Sequence, residues 1–323
     1  MREAILGALS YHDLFDRPLS LHELRLALPS GASDAAALLR MLEALAGEGR
    51  VECIDGFWQL AGRPKLSDVR QSRYVIAEAK YEKAIRFLRL ARHAPFLRAA
   101  AVCNTLARSN AREESDIDLF VVAEPGRVWL CRLLVTGLAA LLGVRPSAEE
   151  SRDRICLSFF AASDALDLAA VSIPNDVYLR QWIRELAPLV DEDGQMDRLK
   201  EANRWMRSVR ADEVDARISA RRRLASSGRL KRAAEKLLNL AGAFFEAQAR
   251  RVQLKLLPDR LKRAAEDGFT AVILSDAMLK FHDEDRREEI RDRYRARLAE
   301  VLGRHPTRNE EPIFEPHELR ALA

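Results

Sequence analysis

A chain of 323 residues, 48% hydrophobic and 32% charged, is long enough for two or three domains and has the balance of an ordinary soluble protein. No apolar run reaches the roughly 18 to 20 residues of a membrane span, and Met1 leads into an amphipathic pattern without a signal-peptide layout, so a cytoplasmic location is expected. The net charge of +4 hides an asymmetry: Met1 to Gly62 carries five Arg and no Lys against nine acids, whereas Arg217 to Arg263 carries fourteen Arg plus Lys against three acids. A polyanion would therefore be met by the later half. Cys53, Cys103, Cys131 and Cys156 are scattered with no C-x-x-C spacing, which predicts free thiols rather than a zinc site or disulfides.

Residues 1–64 predict three short helices and a hairpin. Ile5, Leu6 and Leu9 form a helical stripe, Ser20 with Glu23 three residues on is a capping box, and Ser33-Asp34 opens a third helix with Leu38, Leu39, Leu42 and Leu45 on its buried side. Asp55-Gly56 between two apolar runs is a strong hairpin signal. Three helices followed by a two-stranded wing resemble the winged-helix form of the helix-turn-helix, which implies DNA binding. The charges point the other way: the module is acidic, and its third helix sets only Arg40 against Glu43. A docking or dimerisation role, hence a possible homo-oligomer, fits the charges better.

A connecting helix is expected over 65–95, with Lys80, Lys83, Arg86, Arg89 and Arg92 on its exposed side and Pro95 ending it. Leu97 to Cys103 then reads as a strand, and Ile117 onward as another, headed by Asp116 and Asp118. Alternation along a strand puts those two carboxylates on one face while Ile117 and Leu119 point into the core. Hard divalent cations take oxygen ligands and often only one or two protein carboxylates. Further on, Arg127 to Gly143 predicts a buried helix, and Arg154 to Ala161 and Leu166 to Val171 predict strands, giving a small mixed sheet covered on one side by helices.

Ser115-Asp116-Ile117-Asp118-Leu119, about ten residues after the Asn104-Thr105 corner, resembles the nucleotidyltransferase superfamily typified by DNA polymerase β, whose members follow a Gly-Ser corner with an S-D-I-D-L strand. The resemblance covers roughly residues 97–172. It implies transfer of a nucleoside monophosphate from a triphosphate, such as ATP, to an acceptor hydroxyl, with Mg²⁺ or Mn²⁺ held by Asp116 and Asp118. It implies further that backbone at Asn104 and Thr105, together with Ser109 and Ser115, contacts the nucleotide, and that a third carboxylate comes from a later strand. Asp167, in Leu166-Asp167-Leu168, is the candidate for that acid, ahead of Asp153 and Asp164. The family's glycine is Asn104 here and its serine Thr105, so the hydroxyl survives but the open approach of glycine backbone does not. Asparagine tolerates left-handed geometry, so the turn can still form.

Residues 174–323 are expected to form a C-terminal helical domain, including a segment from Val177 to Leu189 and a long pair from Val214 to Leu257 broken near Gly228. The tail from Gly303 to Glu315 is expected to be mobile. The basic stretch from Arg221 to Lys236 is a candidate surface for RNA or another polyanion. Leu237, Leu238, Leu240, Phe244 and Phe245 are expected to pack on the core, with a membrane-surface helix as the alternative. His282 and Trp129 read as structural residues. The chain is thus expected to be an α+β protein with an N-terminal winged helix, a nucleotidyltransferase core over 96–173 and a helical C-terminal domain. Two alternatives stay open, a degenerate nucleotidyltransferase-fold scaffold and a winged-helix DNA regulator.

Overall fold

The computed structural model describes residues 1–28, 34–147, 149–206, 222–225, 228–268, 270–282 and 285–304. The N-terminal module forms as its signals direct: α1 (Arg2–Asp13), β1 (Leu19–Ser20), α2 (Leu21–Ala27), α3 (Ala35–Gly47), β2 (Val51–Ile54) and β3 (Phe57–Leu60). Ser20 and Glu23 exchange both hydrogen bonds of the capping box, and Asp34 caps α3 through the Ala36 N–H. Asp55 and Gly56 both take positive φ, 53° and 80°, as a tight hairpin whose twist matches its strands requires. The three strands pair antiparallel in the order β1-β3-β2 over a core of Ile5, Leu9, Leu24, Leu38, Leu42 and Trp58, while Leu39, expected on the buried side of α3, is turned out to solvent.

The rest of the chain runs α4 (Leu66–Ala91), β4 (Leu97–Val102), α5 (Asn104–Ala107), β5 (Ile117–Ala123), α6 (Val128–Leu141), β6 (Ile155–Ala162), α7 (Val177–Glu185), β7 (Ala187–Asp191) and α8 (Gln195–Ala202). It ends with α9 (Arg229–Asn239), α10 (Gly242–Leu256), α11 (Asp259–Glu266), β8 (Val272–Leu274), β9 (Met278–Phe281) and α12 (Arg287–Leu302). One mixed six-stranded sheet, ordered β7-β4-β5-β6-β9-β8, organises all of it, with β5 and β6 parallel and the other neighbours antiparallel. The molecule is a mixed α+β protein.

Helices cover this sheet on both faces, not one. Ala100, Val102, Ile117, Leu119 and Val121 pack with α4, α6 and Ala249 of α10, while Ala99, Ala101, Phe120 and Val122 pack with Leu179, Trp182 and Ile183 of α7 and with Met196 and Leu199 of α8. Trp129 is fully buried, as expected, and its Nε1–H reaches Asp276 at 3.0 Å.

The segment after Pro174 departs from the all-helical expectation, since β7, β8 and β9 join the central sheet. Pro188 lies in β7, an edge strand, where a missing N–H is tolerated. The strand expected over 166–171 does not form. Asn203 takes its ladder groups instead, accepting from the Leu168 N–H at 2.9 Å and donating to the Leu166 carbonyl at 2.7 Å, and a 3₁₀ turn follows over Ala169–Val171. The tail from residue 305 and the stretch 207–221 lie outside the described residues.

A buried ion network joins the N-terminal module to the sheet. Glu23 pairs with Arg17 at 2.6 Å and Arg70 at 2.7 Å, and Glu185 of α7 pairs with Arg108 and, at 3.7 Å, with Arg17. Tyr11 of α1 packs on Tyr294 of α12 and accepts from Arg108 at 3.0 Å. Removing one member of such a set leaves a charge unpaired in the interior, which fixes the docking.

Candidate functional site

The site grows from the end of β4. The Cys103 N–H donates to the Asp118 carbonyl at 3.1 Å, the last rung before the chain turns, and Asn104 then adopts left-handed backbone at φ 57°. That is the conformation glycine takes most easily and asparagine next, so the corner forms despite the missing glycine. The four-residue α5 follows, the Thr105 carbonyl accepts from the Asn110 N–H at 2.9 Å, and Ser109 closes the turn at φ 51°.

The loop leading to Asp116 is held from below by Lys80, which is only 1% exposed. Its ammonium group donates to the Glu113 carbonyl at 3.0 Å, the Ser115 carbonyl at 2.6 Å and the Asp153 carboxylate at 2.7 Å. The expectation that Lys80 lies on the exposed side of its helix is therefore corrected. Lys80 sits three residues after Ala77 and four before Ala84, both buried, so helical spacing carries it onto the inner face. Ser115 turns its hydroxyl to the Arg112 carbonyl at 2.8 Å, a loop-closing bond.

Asp116 and Asp118 flank Ile117, which points into the core, so both carboxylates leave the opposite face, as alternation predicts. In the parallel pairing of β5 with β6, Asp118 stands opposite Cys156. Ligand atoms of Asp116, Asp118 and Cys156 all lie within 4.8 Å of one another. The Asp118 carboxylate accepts from Asn104 Nδ2 at 2.8 Å, and Tyr178 of α7 donates to Asn104 Oδ1 at 3.0 Å, which fixes the amide's orientation.

The electrostatics of this cluster are those of crowded, poorly hydrated acids. Burial, then the neighbouring Asp116 charge, pushes Asp118 up to about 7, against the pull of the Asn104 hydrogen bond. Asp116 is also raised by burial, with the charge of Lys80 opposing. Burial and the two aspartates push the Cys156 thiol far up, so it stays a neutral S–H at physiological pH. Two carboxylates in this state gain from any cation placed between them.

Other candidates fall elsewhere. Asp167 lies in the irregular loop after β6, exposed, with its carboxylate accepting the Ala169 N–H at 2.9 Å. It is not on a strand beside Asp118, which corrects its expected placement. Asp153 is tied to Lys80 and Lys83, whose hydrogen bonds and charges hold its carboxyl below the usual range against burial, and Asp164 is exposed in a turn. The residue that does join the pair is Cys156, read from sequence as a plain free thiol. The alternation of Ile155 and Leu157 into one core layer placed Cys156 and Ser158 on the other face. Ser158 Oγ is 3.2 Å from His282 Nε2, just past β9, so His282 stands beside β6. All four cysteines are free.

Part of the expected polyanion surface is engaged internally. Arg222 pairs with Glu78 and stacks 4.1 Å over the Tyr81 ring, and Lys231 pairs with Glu192 at 2.9 Å. Arg221 lies outside the described residues. Comparison with protein-family models, curated proteins and solved structures finds no match to this chain.

Proposed function

We propose that this protein is a divalent-metal-dependent nucleotidyltransferase that moves a nucleoside monophosphate from a triphosphate to an acceptor hydroxyl. The observation carrying this reading is the pair Asp116 and Asp118 on one face at the head of β5, beside a left-handed corner at Asn104 that opens α5. The donor set fits a hard dication: two close carboxylates, one raised to about 7 by burial and like charge. Asp116 and Asp118 would hold Mg²⁺ or Mn²⁺, which when bound neutralises phosphate oxygens and orients the attacking hydroxyl.

The chain's own residues supply the positioning. Tyr178 holds the Asn104 amide, that amide restrains one oxygen of Asp118, and Lys80 fixes the carbonyls of Glu113 and Ser115 so that Asp116 enters from a rigid loop. Thr105, partly buried at the start of α5, offers the corner's hydroxyl to a phosphate. In this reading the N-terminal module is a winged helix used for docking, supported by its acidic balance and its buried ion pairs to α4 and α7.

A second reading, a degenerate nucleotidyltransferase fold that binds without turnover, is favoured by one specific observation. The strand beside Asp118 presents Cys156, a neutral thiol that cannot act as the third carboxylate, and Asn104 occupies an oxygen of Asp118. Labelled triphosphates with Mg²⁺ or Mn²⁺, alone and with RNA or cell extract, separate the two readings. Transfer that falls on the order of a hundredfold or more in Asp116→Ala and Asp118→Ala supports the enzyme. Transfer unchanged by either substitution overturns it, and metal-dependent nucleotide binding with no transfer favours the second reading.

A further inference from the structure

The helix α9 is built with its polar face inward. Its buried side chains are Lys231 and Glu235. Lys231 Nζ donates to Glu192 at 2.9 Å and to the Leu97 carbonyl, while Glu235 accepts from the Phe96 N–H at 2.7 Å and from Arg98 at 2.8 Å. These bonds pin the charged side of the helix to the start of β4. The spacing of Leu230, Leu237 and Leu240 gathers them on the opposite side. They are 87%, 69% and 84% exposed, so the expected packing of Leu237 and Leu240 on the core is corrected, while Leu238 does pack inward.

The next helix also exposes apolar side chains. α10 turns Gly242, Ala249 and Gln253 inward, and its Glu246 carboxylate accepts the N–H groups of Trp129 and Leu130 at the start of α6. Outward it shows Phe244, Val252 and Leu256, the last 77% exposed. The exposed charged side chains from Arg229 to Leu256 are Arg229, Arg232, Lys236, Arg250, Arg251 and Lys255, all basic, because Glu235 and Glu246 are turned to the interior; of these Arg250 is paired with the exposed Asp276 at 3.4 Å, and the others carry the positive charge of the surface.

We propose that the outer face of α9 and α10 docks on the surface of an anionic lipid bilayer, with its leucines and phenylalanines entering the headgroup layer and its bases meeting lipid phosphates. Protruding apolar side chains interleaved with bases are the pattern of helices that lie in a membrane interface. A second copy of the chain is a poor occupant, since a two-fold contact would set basic patch against basic patch. A nucleic acid would use the bases and leave the leucines in water. No helix among the described residues is long and apolar enough to cross a membrane, so the attachment is peripheral.

Sedimentation of the full-length protein with phosphatidylcholine vesicles, with and without phosphatidylglycerol, tests this. Binding is expected only to the anionic vesicles and should weaken as salt is raised. The triple variant Leu230→Ser, Leu237→Ser, Leu240→Ser should lose at least about tenfold in vesicle affinity with an unchanged melting temperature, because these side chains pack on little. The pair Arg232→Glu, Lys236→Glu should lose binding as well and serves as an independent check on the same face. Absence of binding to anionic vesicles overturns the proposal, as does binding that the triple variant leaves intact. Binding to RNA that survives the leucine substitutions, without vesicle binding, overturns it in favour of a nucleic-acid surface.

Discussion

The strand β5, with the residue that precedes it, and the helix α9 both set charged side chains beside apolar ones, and the protein uses the two patterns in opposite senses. In β5 the apolar residues Ile117 and Leu119 enter one core layer, Phe120 enters the other, and the charges of Asp116 and Asp118 gather at the strand's head. In α9 the charged pair Lys231 and Glu235 goes inward and the leucines stay out. The difference lies in what each element meets. β5 is a central strand with neighbours on both edges and helices on both faces, so its apolar side chains have nowhere else to go. α9 lands on a sheet end where the Phe96 N–H, the Leu97 carbonyl, Arg98 and Glu192 already need polar partners, and satisfying those groups decides which side faces in.

The sharpest way to break this comparison is to truncate one apolar residue in each element. Phe120 stacks edge-on with Phe159 at 5.0 Å and Trp182 at 5.2 Å, and Phe120→Ala should cost about 3–5 kcal/mol in urea denaturation. An effect below about 1 kcal/mol would mean the layer beneath the site is not packed as described. On the acid side, Asp118→Asn should stabilise the metal-free protein above neutral pH by on the order of 2 kcal/mol. The sign follows from a carboxyl raised to about 7 by burial and by Asp116: between the ordinary carboxylate range and about 7 the native state keeps a proton that the unfolded chain has lost. Wild-type stability should therefore fall as pH rises through that window and level off above it. Melting curves in chelator, wild type against Asp118→Asn, would contradict this if both ran parallel.

Within α9, Glu235→Ala strips the acceptor from the buried Phe96 N–H and should cost about 1–3 kcal/mol, with Arg98 keeping Glu124 as a partner. Asn104→Gly keeps the turn at φ 57° but takes the amide from the Asp118 carboxylate and the Tyr178 hydroxyl and should cost about 1–3 kcal/mol, with Asn104→Ala costing about 1 kcal/mol more for placing an alanine at that φ. The smallest effect belongs to Leu237→Ala, expected within about 0.5 kcal/mol of wild type. A large loss there would show that the leucine packs against something, and the reading of α9 as a polar-side-in helix would fail.

Much of the architecture was legible in the residues themselves. The capping box at Ser20, the Asp55-Gly56 hairpin and the apolar runs of β4, β5, α6 and β6 appear where local chemistry places them. The aspartate pair was legible for the same reason, since strand alternation needs no knowledge of neighbours. Cys156 was visible on the right face of its strand, but only the parallel register of β5 and β6 set it opposite Asp118. Asp167 failed because its apolar-acid-apolar triplet matches a strand locally, while Asn203, thirty-odd residues later, captured its backbone groups.

The sequence by itself determined the local elements, the common face of Asp116 and Asp118 and the sign of charge in each half of the chain, because these depend on short-range geometry and on composition. Tertiary structure decided the rest: β7, β8 and β9 as part of the sheet, Lys80 as a buried clamp, and α9 with its leucines in water. Each of those outcomes depends on polar groups brought together from distant positions, and a buried donor or acceptor takes whichever partner the fold presents to it.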